Sequence, residues 1–155
     1  DDIAVAFAAI LDTPVGVNCD IKEERAIFPV LKLADRFGIP RERFILTGLV
    51  IPQFLKNAPE IIRRASVFMN VENVPHTDTA SLADSCLALG VSGVNMPLRF
   101  ATQESLSVFA EKGLPASVWT VDDPSDRKRL LAAKVYNITT RKVFDALRER
   151  AQLAL

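Results

Sequence analysis

The repeating pattern of this chain begins in the stretch Gly16-Val-Asn-Cys-Asp-Ile-Lys-Glu-Glu24. Apolar and polar residues alternate through it, which predicts a half-buried strand from Val15 to Lys22. An amphipathic helix is predicted directly afterwards, from Glu23 to Phe37, and it stops before Gly38, a residue favoured at the C-terminus of a helix. One strand followed by one helix is therefore the local unit.

This unit repeats along the chain. Five more short apolar runs predict strands, at Phe44 to Thr47, Ser66 to Val71, Gly93 to Met96, Ala116 to Val121 and Val135 to Thr139. Stretches of helical period follow them, at Thr79 to Leu89, Thr102 to Lys112, Ser125 to Ala133 and Arg141 to Ala154, and a less regular helical region interrupted by Pro59 runs from Gln53 to Arg64. A further amphipathic helix, Ile3 to Leu11, precedes all six units.

Alternating strands and helices predict an α/β fold with parallel strands. An open doubly wound sheet loses support because no glycine-rich phosphate loop follows any strand. The short units favour a (β/α)8 TIM barrel, which needs eight strands where this sequence supplies six. We therefore expect residues 1–155 to form a single domain, a barrel that lacks its first two strands.

Composition excludes several kinds of partner. Nineteen basic and nineteen acidic residues cancel, and no basic run occurs, so nothing predicts binding to nucleic acid. No apolar stretch approaches membrane-spanning length, so no membrane insertion is expected. Cys19 and Cys86 have neither metal-ligand spacing nor the pattern of a disulfide framework, which favours a reducing, cytoplasmic location.

The polar residues of the first predicted strand are the candidate site. Asn18, Asp20 and Lys22 share one face, which we expect to point into the barrel near its C-terminal mouth, where barrel enzymes carry their chemistry. There Asp20 could bind a hard cation and Lys22 a phosphate. A purely structural ion pair between them is equally compatible with the spacing.

Four other features bear on the site. Glu72 is a second carboxylate near the mouth, and it either binds a cation together with Asp20 or hydrogen-bonds to the local backbone. His76 is interpreted as a solvated loop residue. Trp119 lines the pocket or belongs to the core, since strand alternation alone does not say which face it occupies. The helix that includes Lys142 to Arg150 is predicted to pack its apolar side on the barrel and to need no partner, with Val143, Phe144 and Leu147 on that side.

Several segments resemble the glycerophosphodiester phosphodiesterase family. VNCDIK, residues 17–22, is similar to the LNIEIK segment of that family. GLPASVWTVDDPSDRKRLLAAKVYNITT, residues 113–140, is similar to the family's terminal block, and VWTVDDPSD is its most specific piece. GVSGVNMPLRFATQESLSVFAEKG, residues 90–113, resembles the strand and helix just before it. The similarity keeps its register over essentially the whole chain.

The resemblance implies a (β/α)8 barrel that hydrolyses glycerophosphodiesters to glycerol 3-phosphate and an alcohol with a divalent cation, Ca²⁺ or Mg²⁺. Asp20 matches one metal ligand, one methylene shorter than the usual glutamate. Lys22 matches the lysine that faces the phosphate, and Trp119 matches an aromatic wall of the pocket. The family's His-Arg-Gly strand, its early acidic pair and its two catalytic histidines have no counterpart here. We therefore assign no catalytic residue to this chain and expect it to be inactive by itself.

Two functions remain open from the sequence. The chain is the C-terminal part of a metal-dependent phosphodiesterase that acts on a small-molecule phosphodiester, or it is a degenerate, non-catalytic barrel domain with a binding or self-assembly role. In either case the missing strands leave open sheet edges, which favour a homo-oligomer.

Overall fold

The computed structural model describes residues 3–153. Six parallel strands form one sheet in chain order, β1 (Val17–Ile21), β2 (Phe44–Gly48), β3 (Ser66–Asn70), β4 (Gly93–Pro97), β5 (Ala116–Trp119) and β6 (Asn137–Ile138). Eight α-helices accompany them, α1 (Ile3–Ile10), α2 (Ile27–Arg36), α3 (Pro52–Asn57), α4 (Ile61–Arg64), α5 (Thr79–Ala88), α6 (Gln103–Glu111), α7 (Pro124–Ala132) and α8 (Val143–Gln152). Short 3₁₀ turns occur at Glu24–Ala26, Arg41–Arg43, Val71–Asn73 and Leu98–Phe100.

The strand order confirms the predicted fold class. Every strand after β1 pairs in parallel with its predecessor in the chain. The strand order therefore follows the chain order throughout, whereas in a doubly wound sheet it reverses at one point. The six strands curl into part of a barrel, with helices between successive strands. Within residues 3–153, β1 and β6 each pair on one side only, so the sheet has two free ends.

The core lies between the outer face of the sheet and the helices. Leu46 on β2, Met69 on β3, Met96 on β4 and Val118 on β5 are completely inaccessible to solvent. The helix before β1 joins this core through Phe7, whose ring meets the Phe44 ring edge-on at 5.8 Å between centroids. Each such buried side chain contributes roughly 1.5–3 kcal/mol of transfer free energy.

Local signals place the helix ends where the sequence predicts. The Asp78 carboxylate accepts a hydrogen bond from the Ser81 backbone N–H at 2.8 Å and caps α5. Gly38, Gly90 and Gly113 follow α2, α5 and α6 in the left-handed region. The helical region predicted from Gln53 to Arg64 forms two short helices, and the interruption predicted at Pro59 is confirmed, because the proline ring prevents a continuous helix.

The last unit departs from the prediction. Strand β6 has two residues where the sequence pattern indicates five, and α8 ends at Gln152; residue 154 of the predicted helix lies outside the described residues. The predicted packing of α8 on the barrel is wrong, because the exposed fractions of Val143, Phe144 and Leu147 are 53%, 81% and 54%. A buried bidentate ion pair holds α8 instead, since Arg127 on α7 donates from Nε and Nη2 to the Glu149 carboxylate at 2.8 Å each.

No helix in the stretch that the structure describes is both long enough and apolar enough to cross a membrane.

Candidate functional site at the C-terminal edge of the sheet

One face of the sheet is lined with polar side chains. Asn18 and Asp20 on β1 are exposed while Cys19 and Ile21 are buried, so the alternation predicted for this strand is confirmed. Hydrogen bonds of 2.7–3.1 Å join inner-face side chains of neighbouring strands in three pairs, Thr47 with Asn18, Asn95 with Asn70, and Asn137 with Ser117. This layer of neutral amides and hydroxyls lies opposite the apolar core.

Asp20 and Lys22 meet at the end of β1. The Lys22 ammonium lies 2.6 Å from the Asp20 carboxylate, and 77% and 53% of the two side chains are exposed. Both groups are therefore accessible to a ligand. An ion pair this exposed contributes at most about 1 kcal/mol to stability, so a ligand that takes either partner disrupts little.

The backbone of β2 fits closely against Asp20. Gly48 has a φ of +86°, and a Cβ atom there would lie 2.5 Å from an Asp20 carboxylate oxygen and 2.2 Å from the Ile21 carbonyl oxygen. Only glycine therefore fits. The Leu49 N–H donates to that Ile21 carbonyl at 2.8 Å, and the Asn73 side chain donates to the Gly48 carbonyl at 2.8 Å. These contacts fix the orientation of the strand end that carries Asp20.

Strand register answers the question that the sequence leaves open for Trp119. Asn95 pairs with Ser117 and Pro97 with Trp119, so Trp119 lies on the polar inner face with Ser117. The peptide bond from Trp119 to Thr120 is cis. Among the described residues, the indole Nε1 is the one buried side-chain nitrogen or oxygen with no hydrogen-bond partner. The indole of Trp119 therefore has a buried donor that no described residue uses.

Glu72 and His76 lie on the loop after β3, which is two strands along the sheet from β1. The Glu72 carboxylate forms an ion pair with Arg99, which follows β4, and the Arg99 guanidinium also lies 4.9 Å from the centre of the Phe100 ring. His76 is exposed, and its Nδ1 lies 2.7 Å from the Val74 carbonyl oxygen. The structure therefore brings Lys22 to Asp20 and pairs Glu72 with a different cation.

Asp122 and Arg141, which were not predicted from the sequence, join the ends of β5 and β6. The Asp122 carboxylate accepts hydrogen bonds from the Arg141 backbone N–H at 2.9 Å, from Arg141 Nε at 2.6 Å and from the Thr140 hydroxyl at 3.1 Å. The hydrogen bond from the Arg141 backbone lowers the pKa of Asp122 most, followed by that from the Arg141 side chain. Nineteen positions separate the two residues, so local sequence gives no signal for the pair.

The described residues do not by themselves make a cation site. A hard divalent cation needs several oxygen ligands, and no group of three or more His, Cys, Asp or Glu residues that could hold a metal occurs within 3–153. Asp20 supplies one carboxylate at the inner face. A cation at Asp20 therefore needs further ligands from elsewhere.

Solved structures share this arrangement of strands and helices. A glycerophosphoryl diester phosphodiesterase from Silicibacter pomeroyi superposes with a TM-score of 0.76 at 16% identity, over 99% of this chain and 56% of that one. A protein of the same name from Agrobacterium tumefaciens gives 0.77 at 16% identity, over 98% and 64%. A phosphodiesterase from Oleispira antarctica, solved with its product sn-glycerol-3-phosphate, gives 0.71 at 14% identity, over 98% and 60%. The fold is that of the glycerophosphodiester phosphodiesterases.

The chain spans only 56–64% of the length of these three phosphodiesterases, which agrees with six strands of an eight-stranded barrel. No protein-family model matches the sequence, and no curated protein matches it significantly. The likeness to the phosphodiesterases therefore lies in the fold.

Proposed function

We propose that this chain forms the C-terminal six units of a phosphodiesterase barrel that hydrolyses glycerophosphodiesters to glycerol 3-phosphate and an alcohol. The observation that carries the proposal is the exposed Asp20–Lys22 pair at the C-terminal edge of β1, within a fold shared with glycerophosphodiester phosphodiesterases. Hydrolysis forms a bond between a water oxygen and phosphorus and breaks the bond from phosphorus to the leaving alcohol. The water loses a proton and the alcohol oxygen gains one.

Each site residue has a role in this proposal. Lys22 binds the phosphate as a point charge, and its ammonium is accessible for that purpose. Trp119 forms an aromatic wall of the pocket on the same inner face. Asp20 is one oxygen ligand of a divalent cation, Ca²⁺ or Mg²⁺, which stabilises negative charge on the phosphoryl oxygens when bound. Glu72 is a secondary ligand, and it would have to leave Arg99 to act as one.

The proton transfers are assigned to the rest of the barrel. General acid and base catalysis needs groups within hydrogen-bond reach of the reacting oxygens, and no residue of this chain is given that role. The chain alone is therefore expected to bind phosphate esters without hydrolysing them. The alternative of a non-catalytic domain keeps the same binding residues, and the apolar surfaces exposed on α8 favour a partner in either case.

A reducing, cytoplasmic location fits this proposal. Cys19 and Cys86 are both free and buried, and burial raises the pKa of each thiol to about 11. Thiols with such a pKa remain protonated and unreactive at neutral pH.

Binding of sn-glycerol 3-phosphate tests the site, because Trp119 is the only tryptophan and reports on it by fluorescence. We expect a saturable change in the wild-type chain and a dissociation constant raised by about tenfold in Lys22→Met. Lys32→Met on α2, which is also exposed, is the matched control and should bind as the wild type does. Equal binding by the wild type and Lys22→Met, or no saturable change at all, would contradict the proposed role of Lys22.

A further inference from the structure

The segment that follows β5 is fastened to the end of β6 on both sides of Trp119. The Thr139 N–H donates to the Val118 carbonyl oxygen, and the Val121 N–H donates to the Thr139 carbonyl oxygen, both at 2.9 Å. Trp119 and the residue after it lie between these two hydrogen bonds. The backbone that carries the indole is therefore held only as firmly as this segment is held against the end of β6.

The Asp122 carboxylate adds a further attachment one residue beyond Val121. Its Oδ1 accepts hydrogen bonds from the Arg141 backbone N–H and from the Thr140 hydroxyl, and its Oδ2 accepts one from Arg141 Nε. All three donors belong to the two residues that follow Thr139. Hydrogen bonds to a charged acceptor are stronger than neutral ones, and only 25% of the Asp122 side chain is exposed to competing water.

The backbone of Asp122 is anchored from the opposite side. Arg127 on α7 donates from Nη1 to the Asp122 carbonyl oxygen. Its other guanidinium nitrogens are occupied by the Glu149 carboxylate of α8, so Arg127 is itself held in place. Asp122 is thus the point at which the helices α7 and α8 and the segment after β6 all meet the end of β5.

The indole ring has no comparable attachment of its own. Its Nε1 is buried and has no hydrogen-bond partner among residues 3–153, and the residue as a whole is only partly buried. The position of the ring therefore depends on its packing and on the backbone that carries it. A change that loosens this backbone should move Trp119 without touching it.

We propose that Asp122 is a positioning residue, whose carboxylate keeps the end of β5 against the segment after β6 and thereby holds Trp119 in place on the inner face. Asp122 does not contact the ligand and acts through Trp119. The effect on ligand binding rests on the proposed function, which makes Trp119 a wall of the pocket. The effect on the indole itself does not.

Quenching of the Trp119 fluorescence by acrylamide tests the proposal, because the chain has no other tryptophan. We expect the quenching constant to rise by about twofold in Asp122→Ala, since a loosened strand end opens locally and admits the quencher. Asp122→Asn retains one oxygen that can accept from the Arg141 N–H and the Thr140 hydroxyl, so it should lie much closer to the wild type. Far-ultraviolet circular dichroism shows whether each variant is folded.

A second variant approaches the same attachment from the other side. Thr140→Val combined with Arg141→Ala removes two of the three donors to Asp122 and leaves the carboxylate in place. We expect this double variant to raise the quenching constant in the same direction, and it decides the question if Asp122→Ala does not fold.

Glu149→Gln is the control for a merely structural role. It weakens the buried ion pair with Arg127 at the same end of the sheet and leaves the partners of the Asp122 carboxylate intact. It should lower the unfolding temperature at least as much as Asp122→Ala does and leave the quenching constant of Trp119 at its wild-type value. An equal rise in quenching in both variants would overturn the proposal, as would unchanged quenching in both Asp122→Ala and the double variant.

Calorimetry with sn-glycerol 3-phosphate measures the consequence for binding. We expect the dissociation constant to rise by about threefold to tenfold in Asp122→Ala and to stay at the wild-type value in Glu149→Gln. Wild-type affinity in an Asp122→Ala variant whose Trp119 is displaced would show that the indole is no part of the ligand site. Absence of binding by the wild type would count against the proposed function, and the quenching constants would still decide the role of Asp122.

Discussion

The middle of the sheet and its two ends differ sharply in how well they are packed. All five residues of β4 are buried, as are four of the five in β3, so these strands are covered on both faces. Strand β1 alternates between buried and exposed residues, and both residues of β6 are only partly buried. A strand surrounded by other strands and helices is complete, whereas a strand at the end of the sheet retains unused surface.

This difference separates the residues that stabilise the fold from those that we propose for binding. The side chains that stabilise the fold belong to the middle, and the residues assigned to binding, Asp20 and Lys22, lie at the β1 end with Trp119 near the other. Substitutions in the middle should therefore change the free energy of unfolding. Substitutions of exposed side chains at the ends should leave that free energy nearly unaltered.

The largest expected effect compares a middle residue with an end residue. Met96→Ala removes a completely buried side chain from β4, and we expect a loss of about 2–5 kcal/mol in the free energy of unfolding. Phe144→Ala removes a larger side chain that is 81% exposed, and we expect a change within about 0.5 kcal/mol. Urea denaturation measures both changes, and similar losses in the two variants would show that the ends are packed as well as the middle.

Gly48→Ala is expected to be next in size, because it combines strain with a collision. Alanine at this position would have to adopt a φ of +86°, and its Cβ atom would lie 2.2 Å from the Ile21 carbonyl oxygen. We expect a loss of at least about 2 kcal/mol on denaturation. Gly38→Ala is the control, since its φ is also positive, at +64°, but no atom lies within 4 Å of the added carbon. An equal loss of stability at the two glycines would show that the collision with β1 has no effect.

The ion pair that holds α8 predicts a dependence on pH. The hydrogen bonds from Arg127 hold the pKa of Glu149 below its usual value of 4.5. The stabilisation is therefore fully present above pH 4.5 and is lost as the pH falls below 4.5 through the lowered pKa of the folded state. Glu149→Gln should be less stable at pH 7 and should lose less further stability upon acidification. Thermal unfolding at pH 7 and at stepwise lower pH checks this, and parallel curves for the two proteins would contradict it.

The smallest effect is expected at the candidate site. Asp20→Asn removes an exposed ion pair, so the free energy of unfolding should change by no more than about 0.5 kcal/mol. Calorimetry of the variant checks this value. A loss of unfolding free energy as large as that expected for Met96→Ala would support the alternative that Asp20 and Lys22 form a purely structural ion pair.

Much of the fold could be predicted from local patterns. Alternation placed Asn18 and Asp20 on the inner face, and Gly38 marked the end of α2. These features depend on neighbours a few positions away in the chain. The face of the sheet on which Trp119 lies follows from the register between β5 and β4. The residues of β4 are some twenty positions away in the chain, so local sequence does not reveal that face.

The errors and omissions have the same physical origin. The apolar side of α8 was visible in the sequence, but the pattern does not say what covers that side, and the structure leaves Phe144 exposed. The Glu72–Arg99 and Asp122–Arg141 pairs join residues that follow neighbouring strands, so they exist only once the sheet has formed. Incomplete packing at the ends of a sheet likewise leaves no signal in the local sequence.

Hydrogen–deuterium exchange of the chain by itself tests the contrast between middle and ends most directly. We expect the amides of β3 and β4 to exchange only through global unfolding, whereas those of β6, α8 and α1 should exchange through local opening at least a hundredfold faster. Uniform protection from α1 to α8 would contradict it, because the ends would then be as completely packed as the middle.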